Sequence, residues 1–354
     1  MEHRKNTGQV LSRRKDREYG TMKLSEFDYD LPKELIAQKP LKERDTARLM
    51  VLDRKKRSIT EKVFHGITDY MREGDCLVLN DTRVVPARLY GRRKTGGRVE
   101  IFLLDTASET PRALIRPSKR VKEGEKIELD SGIQAAVLGT ADPGRFVQFS
   151  APIDEVLKDG HVPLPPYITR QDNIKDRKDY QTVYSCKDGA TASPTAGLHF
   201  THELLAGIKE KGVIVVCVTL HTSYGTFAPV TEENIEEHVM HAEYYEVSRE
   251  VADTVGRVKA SGGQIFSVGT TSTRVLESAA AGTGDVVPSA GETNLFIYPG
   301  YRFKMVNSII TNFHLPESTL LMLVSAFAGR DLVFEAYKKA VESRFRSFRT
   351  ETRC

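Results

Sequence analysis

The sequence predicts an α/β domain with a largely parallel sheet, plus an inserted small β-barrel-like domain. Three observations predict this. From residue 200 onward helical and strand patterns alternate, as crossover helices between parallel strands require. Between 75 and about 150, short strand-like runs recur with turn signals between them, the pattern of a barrel or sandwich. The chain is 354 residues long, near the limit for one hydrophobic core, so a division is expected.

Taken in order, residues 1–21 have no hydrophobic period and read as a disordered leader, with Met22 expected to be the true start. Residues 22–80 and 160–354 are expected to form the discontinuous α/β domain, and 81–159 the barrel. From 75 to about 150 CLVLND, ARLYGRR, GRVEIFLL, RALIRPS, KIELD, QAAVLG and RFVQFS are read as strands, separated by KTGG, EG, DSG and ADPG turns. The proline-rich GHVPLPPYITR (160–170) reads as a domain crossing. THELLAGIKEKG predicts a helix with Thr201 as N-cap and Gly212 just past its end. VIVVCVTLH follows as a buried strand, SREVADTVGRVKASGG as a helix, QIFSVG as a strand and TTSTRVLESAAAG as a helix. NSIITNFH is a strand, and LPESTLLMLVSAFAGRD opens a helix with proline near its first turn.

Composition is that of a globular chain, 40% hydrophobic and 28% charged. The longest apolar runs, 213–220 and 320–328, are far shorter than the ~20 residues of a membrane-spanning helix. The polar N-terminus does not read as a signal peptide, which leads us to expect a cytoplasmic protein. Four cysteines without metal-like spacing fit free thiols. Net charge is +4, but residues 83–126 carry twelve basic and five acidic groups. That segment is either a phosphate-binding face or an ordinary solvated β surface. With only Tyr90 and Phe102 as aromatics, it favours phosphates of a folded RNA over stacking of single-stranded bases.

Ligands of open α/β sheets bind beyond the carboxyl ends of the strands. Here those ends are polar: Asn80-Asp81-Thr82-Arg83, then His221-Thr222-Ser223, then Gly269-Thr270-Thr271 running on to Arg274, and finally His314. The Gly-Thr-Thr turn offers hydroxyls and backbone N–H groups at a helix start, suited to a carboxylate or phosphate, or simply to capping. Arg274 fits capping poorly, because a cation there opposes the helix dipole, so a paired anion is expected. Five of nine histidines fall between 199 and 241, in HxxH pairs at 199/202 and 238/241. A zincin HExxH is not present, which leaves a metal-dependent hydrolase as a minor reading. His199 and His221 are better placed as acid–base groups. No Gly-rich dinucleotide fingerprint follows a strand, and neither a P-loop nor GxSxG occurs.

At these residues a resemblance emerges. DCLVLNDTRVVPARLYGRR, GHVPLPPYI, DYQTVY, PTAGLHFT, EEHVMHAEYY, VGTTSTRVLES and FIYPGYRF through TNFHLPESTLLMLVSAFAG resemble the S-adenosylmethionine:tRNA ribosyltransferase-isomerase family of queuosine biosynthesis, from Met22 to about Arg346. The resemblance implies two substrates: S-adenosylmethionine, consumed as a ribosyl donor, and a tRNA bearing 7-aminomethyl-7-deazaguanine at the wobble position. It implies epoxyqueuosine-tRNA as product, with adenine and methionine released, by chemistry that needs no metal or redox cofactor; the short apolar runs lead us to expect no membrane partner, and the lack of coiled-coil or swapped-edge patterns a monomer. On this reading the catalytic candidates are His199 and His221, with Glu237 or His241 in support. Substrate-binding candidates are Asn80, Asp81, Thr82, Arg83, Thr195, Gly197, Thr270, Thr271, Arg274, Asn312 and His314. Three departures stand out: HTSYGTF in place of a small-residue HVGxGTF, Ser185 in place of alanine, and a tail that diverges after Arg346. The last leaves a second reading, a tRNA-binding protein that does not catalyse.

Overall fold

The computed structural model describes residues 21–223, 229–282, 284–346 and 352–353. The expected leader, apart from Thr21, and most of the divergent tail lie outside the described residues, as does Tyr224 of the HTSYGTF segment. The chain begins with three short 3-10 turns, then a hairpin of β1 (Arg48–Asp53) and β2 (Ser58–Val63) that the sequence patterns had not singled out. β3 (Cys76–Asn80) is buried at every residue, as a central strand covered on both faces must be. β4 (Thr82–Val84) follows after a single residue.

Next come β5 (Arg88–Arg93), β6 (Arg98–Leu103), β7 (Arg112–Arg116), β8 (Lys126–Leu129), β9 (Gln134–Thr140) and β10 (Arg145–Phe149). The first of the seven expected runs, CLVLND, is β3 and lies outside the barrel, and the other six are these strands. They close into an antiparallel barrel in the order β10-β7-β6-β5-β8-β9, which leaves no free edge. Its interior is filled by alternating side chains such as Val99, Ile101, Leu103, Ile115, Ile127, Val137 and Val147. At Gly91 a Cβ would collide with the β8 backbone, so only glycine lets β5 and β8 approach there.

After α1 (Ile153–Lys158) the proline-rich stretch returns across the barrel base, where His161 pairs with Arg88. Val162, Leu164 and Ile168 pack with Val84, Tyr180, Ala190 and Leu198, so this stretch is a packed seam. α2 (Asp176–Asp179) and β11 (Lys187–Ala190) follow, and β11 runs parallel to β4.

The remaining elements are α3 (His202–Glu210), β12 (Ile214–Leu220), β13 (Glu243–Val247), α4 (Arg249–Ala260), β14 (Ile265–Val268), α5 (Gly269–Ala279), β15 (Ser289–Thr293), β16 (Ser308–Ile310), α6 (Thr319–Ala328) and α7 (Arg330–Glu342). The expected cap of α3 is present: Thr201 Oγ1 accepts from Leu204 N at 3.1 Å, and Gly212 takes a positive φ just past the helix end. The main sheet has the order β15-β13-β12-β3-β14-β16. Its four strands β12, β3, β14 and β16 are parallel, and β13 and β15 add an antiparallel edge. The sheet is thus largely parallel, as alternation of helix and strand predicts.

One boundary differs. The expected helix at LPESTLL starts only at Thr319, with Ser318 as its cap, so Pro316 lies before the helix rather than in its first turn. Ser318 Oγ accepts from Leu321 N and donates to Leu315 O at 2.7 Å. This local bonding competes with helix extension and leaves His314–Glu317 as a loop.

Candidate active site

Because β12, β3, β14 and β16 run parallel, their carboxyl ends share one edge of the sheet, and there a cavity of about 220 Å³ opens. Its wall is made from the loop after β11 (Ser193–Ala196), Thr222 after β12, Gly269–Thr271 at the start of α5, and Thr311–Ser318 after β16. Tyr167, Phe313, Leu315 and Val230 give it an apolar portion of the kind that takes a planar ring.

α5 begins directly on this cavity. Gly269 has φ +86°, a conformation that favours glycine, and turns the chain from β14 into the helix. Val268, at the N-cap position, supplies no side-chain cap, so the first N–H groups of α5 lack that usual partner. Four lining residues, Ser193, Thr222, Thr271 and Asn312, each hold a buried side-chain oxygen with no hydrogen-bond partner among the described residues. Buried polar atoms are normally satisfied, so four orphans on one cavity wall make it a candidate ligand surface. Asn312 is fixed through its other end, Nδ2 donating to Thr195 Oγ1 at 2.9 Å.

His314 also lines the cavity and is fully buried. Its Nε2 lies 3.0 Å from Thr311 Oγ1, and burial pushes its pKa down to about 3, so it is neutral at physiological pH. Of the expected binding residues, Thr195, Thr270, Thr271, Asn312 and His314 therefore meet at the cavity. Gly197 lies just behind it, where any Cβ would strike the Tyr184 hydroxyl.

The others are placed differently. Arg274 is buried with its guanidinium on Glu243 of β13, and it also donates to the Leu295 and Thr293 carbonyls. The expected anion is thus a protein carboxylate, and Arg274 is not available to a substrate carboxylate. Asn80 ties strand ends together, bonding Leu220 on both its N–H and C=O. Asp81 accepts from Thr219 Oγ1 at 2.7 Å and from Cys186 Sγ at 3.3 Å. Arg83 is partly exposed and donates to Ser185 O, with Asp188 at 3.6 Å. These three bond within the protein and do not line the cavity.

His221 follows β12 directly, next to cavity-lining Thr222. Its Nδ1 is 2.8 Å from Thr82 Oγ1, and its ring stacks on Tyr244 and covers Gly189, where a Cβ would come within 2.8 Å of it. Burial lowers its pKa against the opposing pull of Asp81, which favours the neutral, proton-accepting form. His199 is buried away from the cavity lining, Nδ1 donating to Arg44 O at 3.0 Å and the ring packed on Phe64. Its Nε2 is buried with no hydrogen-bond partner among the described residues, although His199 is not among the cavity-lining residues. Glu237 accepts from Asn234 and His241 is exposed, both apart from the cavity lining. His238 pairs with Glu232 at 2.9 Å. His199, His221 and His238 thus have separate partners, and among the described residues no three His, Cys, Asp or Glu side chains converge as a metal-ligating group.

Sequence reading missed Ser193, named Thr222 only within a polar strand end without choosing it as a binding residue, and missed Glu317. The first two sit in runs of small polar residues where nothing distinguishes a ligand-facing hydroxyl from a turn hydroxyl. Glu317 was read as part of a helix start.

The profile of the family described as "Queuosine biosynthesis protein" matches residues 24–349. The S-adenosylmethionine:tRNA ribosyltransferase-isomerase of Caldanaerobacter subterraneus subsp. tengcongensis is 50% identical over 334 residues, 92% of this chain and 97% of the relative. That of Halothermothrix orenii is similar to the same extent, 50% over 334 residues. A crystal structure of S-adenosylmethionine tRNA ribosyltransferase from Thermotoga maritima covers 93% of this chain, with 38% identity and a TM-score of 0.55. With a profile match across most of its length and relatives at half identity, this chain belongs to the queuosine biosynthesis protein family.

Proposed function

We propose that this protein is an S-adenosylmethionine:tRNA ribosyltransferase-isomerase. It transfers and isomerises the ribosyl moiety of S-adenosylmethionine onto 7-aminomethyl-7-deazaguanine at the wobble position of tRNA, giving epoxyqueuosine-tRNA and releasing adenine and methionine. The observation that carries the reading is half identity over nearly the whole length of enzymes bearing that name. The cavity at the strand ends supports it, being polar on one wall and apolar on another.

The residues support a division of labour. The uncapped start of α5, with Thr270 and Thr271, suits the methionine carboxylate, since N–H groups and the helix dipole favour an anion there. Ser193, Thr222 and Asn312 supply further hydrogen-bonding atoms. Tyr167, Phe313 and Leu315 suit adenine. The chemistry asks for a base at the 5′ carbon, which the adjacent sulfonium acidifies. Loss of adenine then leaves an unsaturated sulfonium. The neutral aminomethyl group attacks it, and a ribose hydroxyl displaces methionine to close the epoxide. His221, neutral and held by Thr82, is our choice for one proton-transfer step. S-Adenosylmethionine is consumed as a substrate.

The basic barrel, residues 81–159 as a unit, is the proposed tRNA-contacting part. Arg88, Arg93 and Arg112 are in ion pairs, but Lys94, Arg116, Lys119, Arg120, Lys122 and Lys126 are exposed and form none among the described residues. We further propose a cytoplasmic monomer; among the described residues no helix is long and apolar enough to cross a membrane. The test is adenine and methionine release from S-adenosylmethionine with tRNA carrying the aminomethyl-deazaguanine. Release with this tRNA and not with unmodified tRNA is the expected result. Folded protein that binds the tRNA and releases neither would favour the non-catalytic tRNA-binding reading.

A further inference from the structure

We propose that Glu317 is the substrate-contacting carboxylate of the cavity, the counter-charge for the sulfonium of the ribosyl donor; this rests on the functional reading above. Among the described lining residues Glu317 is the one carboxylic acid, no Lys or Arg lines the cavity, and burial keeps His314 neutral. Its carboxylate makes no hydrogen bond or ion pair among the described residues. Glu317 is half-buried at this wall, and among the described residues no cation lines the cavity to offset a negative charge there.

The backbone around it is held in an unfavourable conformation. Glu317 has φ +56°, one of three non-glycine residues with positive φ, and its N–H donates to Phe27 O at 2.9 Å. The next residue, Ser318, is locked by its two side-chain hydrogen bonds. Glycine would suit such a position better, so a glutamate there points to a use for its side chain.

The choice of the sulfonium over the ammonium follows from bonding. An ammonium has N–H groups that the orphan oxygens of Ser193, Thr222, Thr271 and Asn312 can accept. A sulfonium has no N–H or O–H to donate, so hydroxyls satisfy it poorly. Its charge is best offset through space by an anion.

The test compares binding of S-adenosylmethionine with that of S-adenosylhomocysteine, which has the same amino-acid and adenosine groups but a neutral thioether. The wild type is expected to prefer the sulfonium. E317Q should weaken S-adenosylmethionine binding about tenfold and change S-adenosylhomocysteine binding less than about twofold. Equal loss for both ligands overturns the assignment, as does an unchanged affinity for S-adenosylmethionine. E317G, which suits the left-handed backbone, controls for folding: it should keep or raise the melting temperature and show the same selective loss. A glycine variant that binds S-adenosylmethionine as tightly as the wild type also overturns it. Active wild type with an unaffected E317Q counts against Glu317 alone, whereas wild type that releases no adenine with modified tRNA overturns the functional reading and this inference together.

Discussion

Thr271 and Arg274 lie three residues apart in one helix and do opposite things. Thr271 leaves a hydroxyl oxygen unpaired at the cavity, while Arg274 is consumed by Glu243. The consequences of mutation differ accordingly. Thr271→Val removes a buried polar atom with no protein partner, so the melting temperature should stay level or rise while KM for S-adenosylmethionine increases severalfold. A drop in melting temperature with unchanged KM would mean the hydroxyl serves the fold. Glu243→Gln strands a buried guanidinium, and urea unfolding should show a loss of about 3–5 kcal/mol. His314 gives a pH signature. Its folded pKa is depressed to about 3 whereas an unfolded histidine titrates near ~6.5, so the unfolded chain binds the extra proton between those values. Its contribution to stability is complete above ~6.5 and falls by up to about 1.4 kcal/mol per pH unit as pH drops toward 3. Comparing unfolding free energies at pH 7 and pH 5, wild type should lose more than His314→Gln; equal losses would refute a buried neutral histidine.

At the scale of elements, α5 is positioned from both sides. Its N-terminus faces the cavity, and farther along Glu277, fully buried, accepts from Met305 N and Val306 N with one oxygen and from Lys304 N and the Tyr301 hydroxyl with the other. This carboxylate fastens the 301–306 segment to the helix that carries Thr270 and Thr271. Glu277→Ala leaves four donors without an acceptor, so a loss of roughly 3 kcal/mol or more is expected, measured by thermal or urea unfolding. Residual folded protein should show weakened S-adenosylmethionine binding as well, because α5 is no longer fixed at its inner end. Elements themselves were largely legible in the sequence. The Thr201 and Ser248 caps mark α3 and α4, and the mostly apolar runs mark β12 and β14. The start of α6 was misplaced because Ser318 and Pro316 both carry helix-start signals, and only the Ser318 hydrogen bonds decide between them.

For the whole molecule, the barrel presents unpaired cations on the loop between β7 and β8, and the sheet presents the cavity. If tRNA phosphates lie along the barrel, Lys119→Glu combined with Arg120→Glu should weaken tRNA binding strongly at low salt. It should also flatten the plot of log affinity against log salt by about two units, while S-adenosylmethionine affinity is unchanged. An unaltered salt slope would assign that loop to the solvated surface.

Sequence alone determined the alternation that makes the parallel sheet, the six barrel strands, and the family to which the chain belongs, because periodic burial and contiguous motifs are local properties. It also indicated that polar strand ends would gather at one edge. Which of those polar residues face the cavity was decided by tertiary structure. Asn80 and Arg274 found partners 140 and 31 residues away, whereas Thr271, Ser193 and Glu317 were left open. The reason is physical: a polar group in a core is satisfied by whichever donor or acceptor the fold brings beside it, and that pairing across long sequence separations is written in no local pattern.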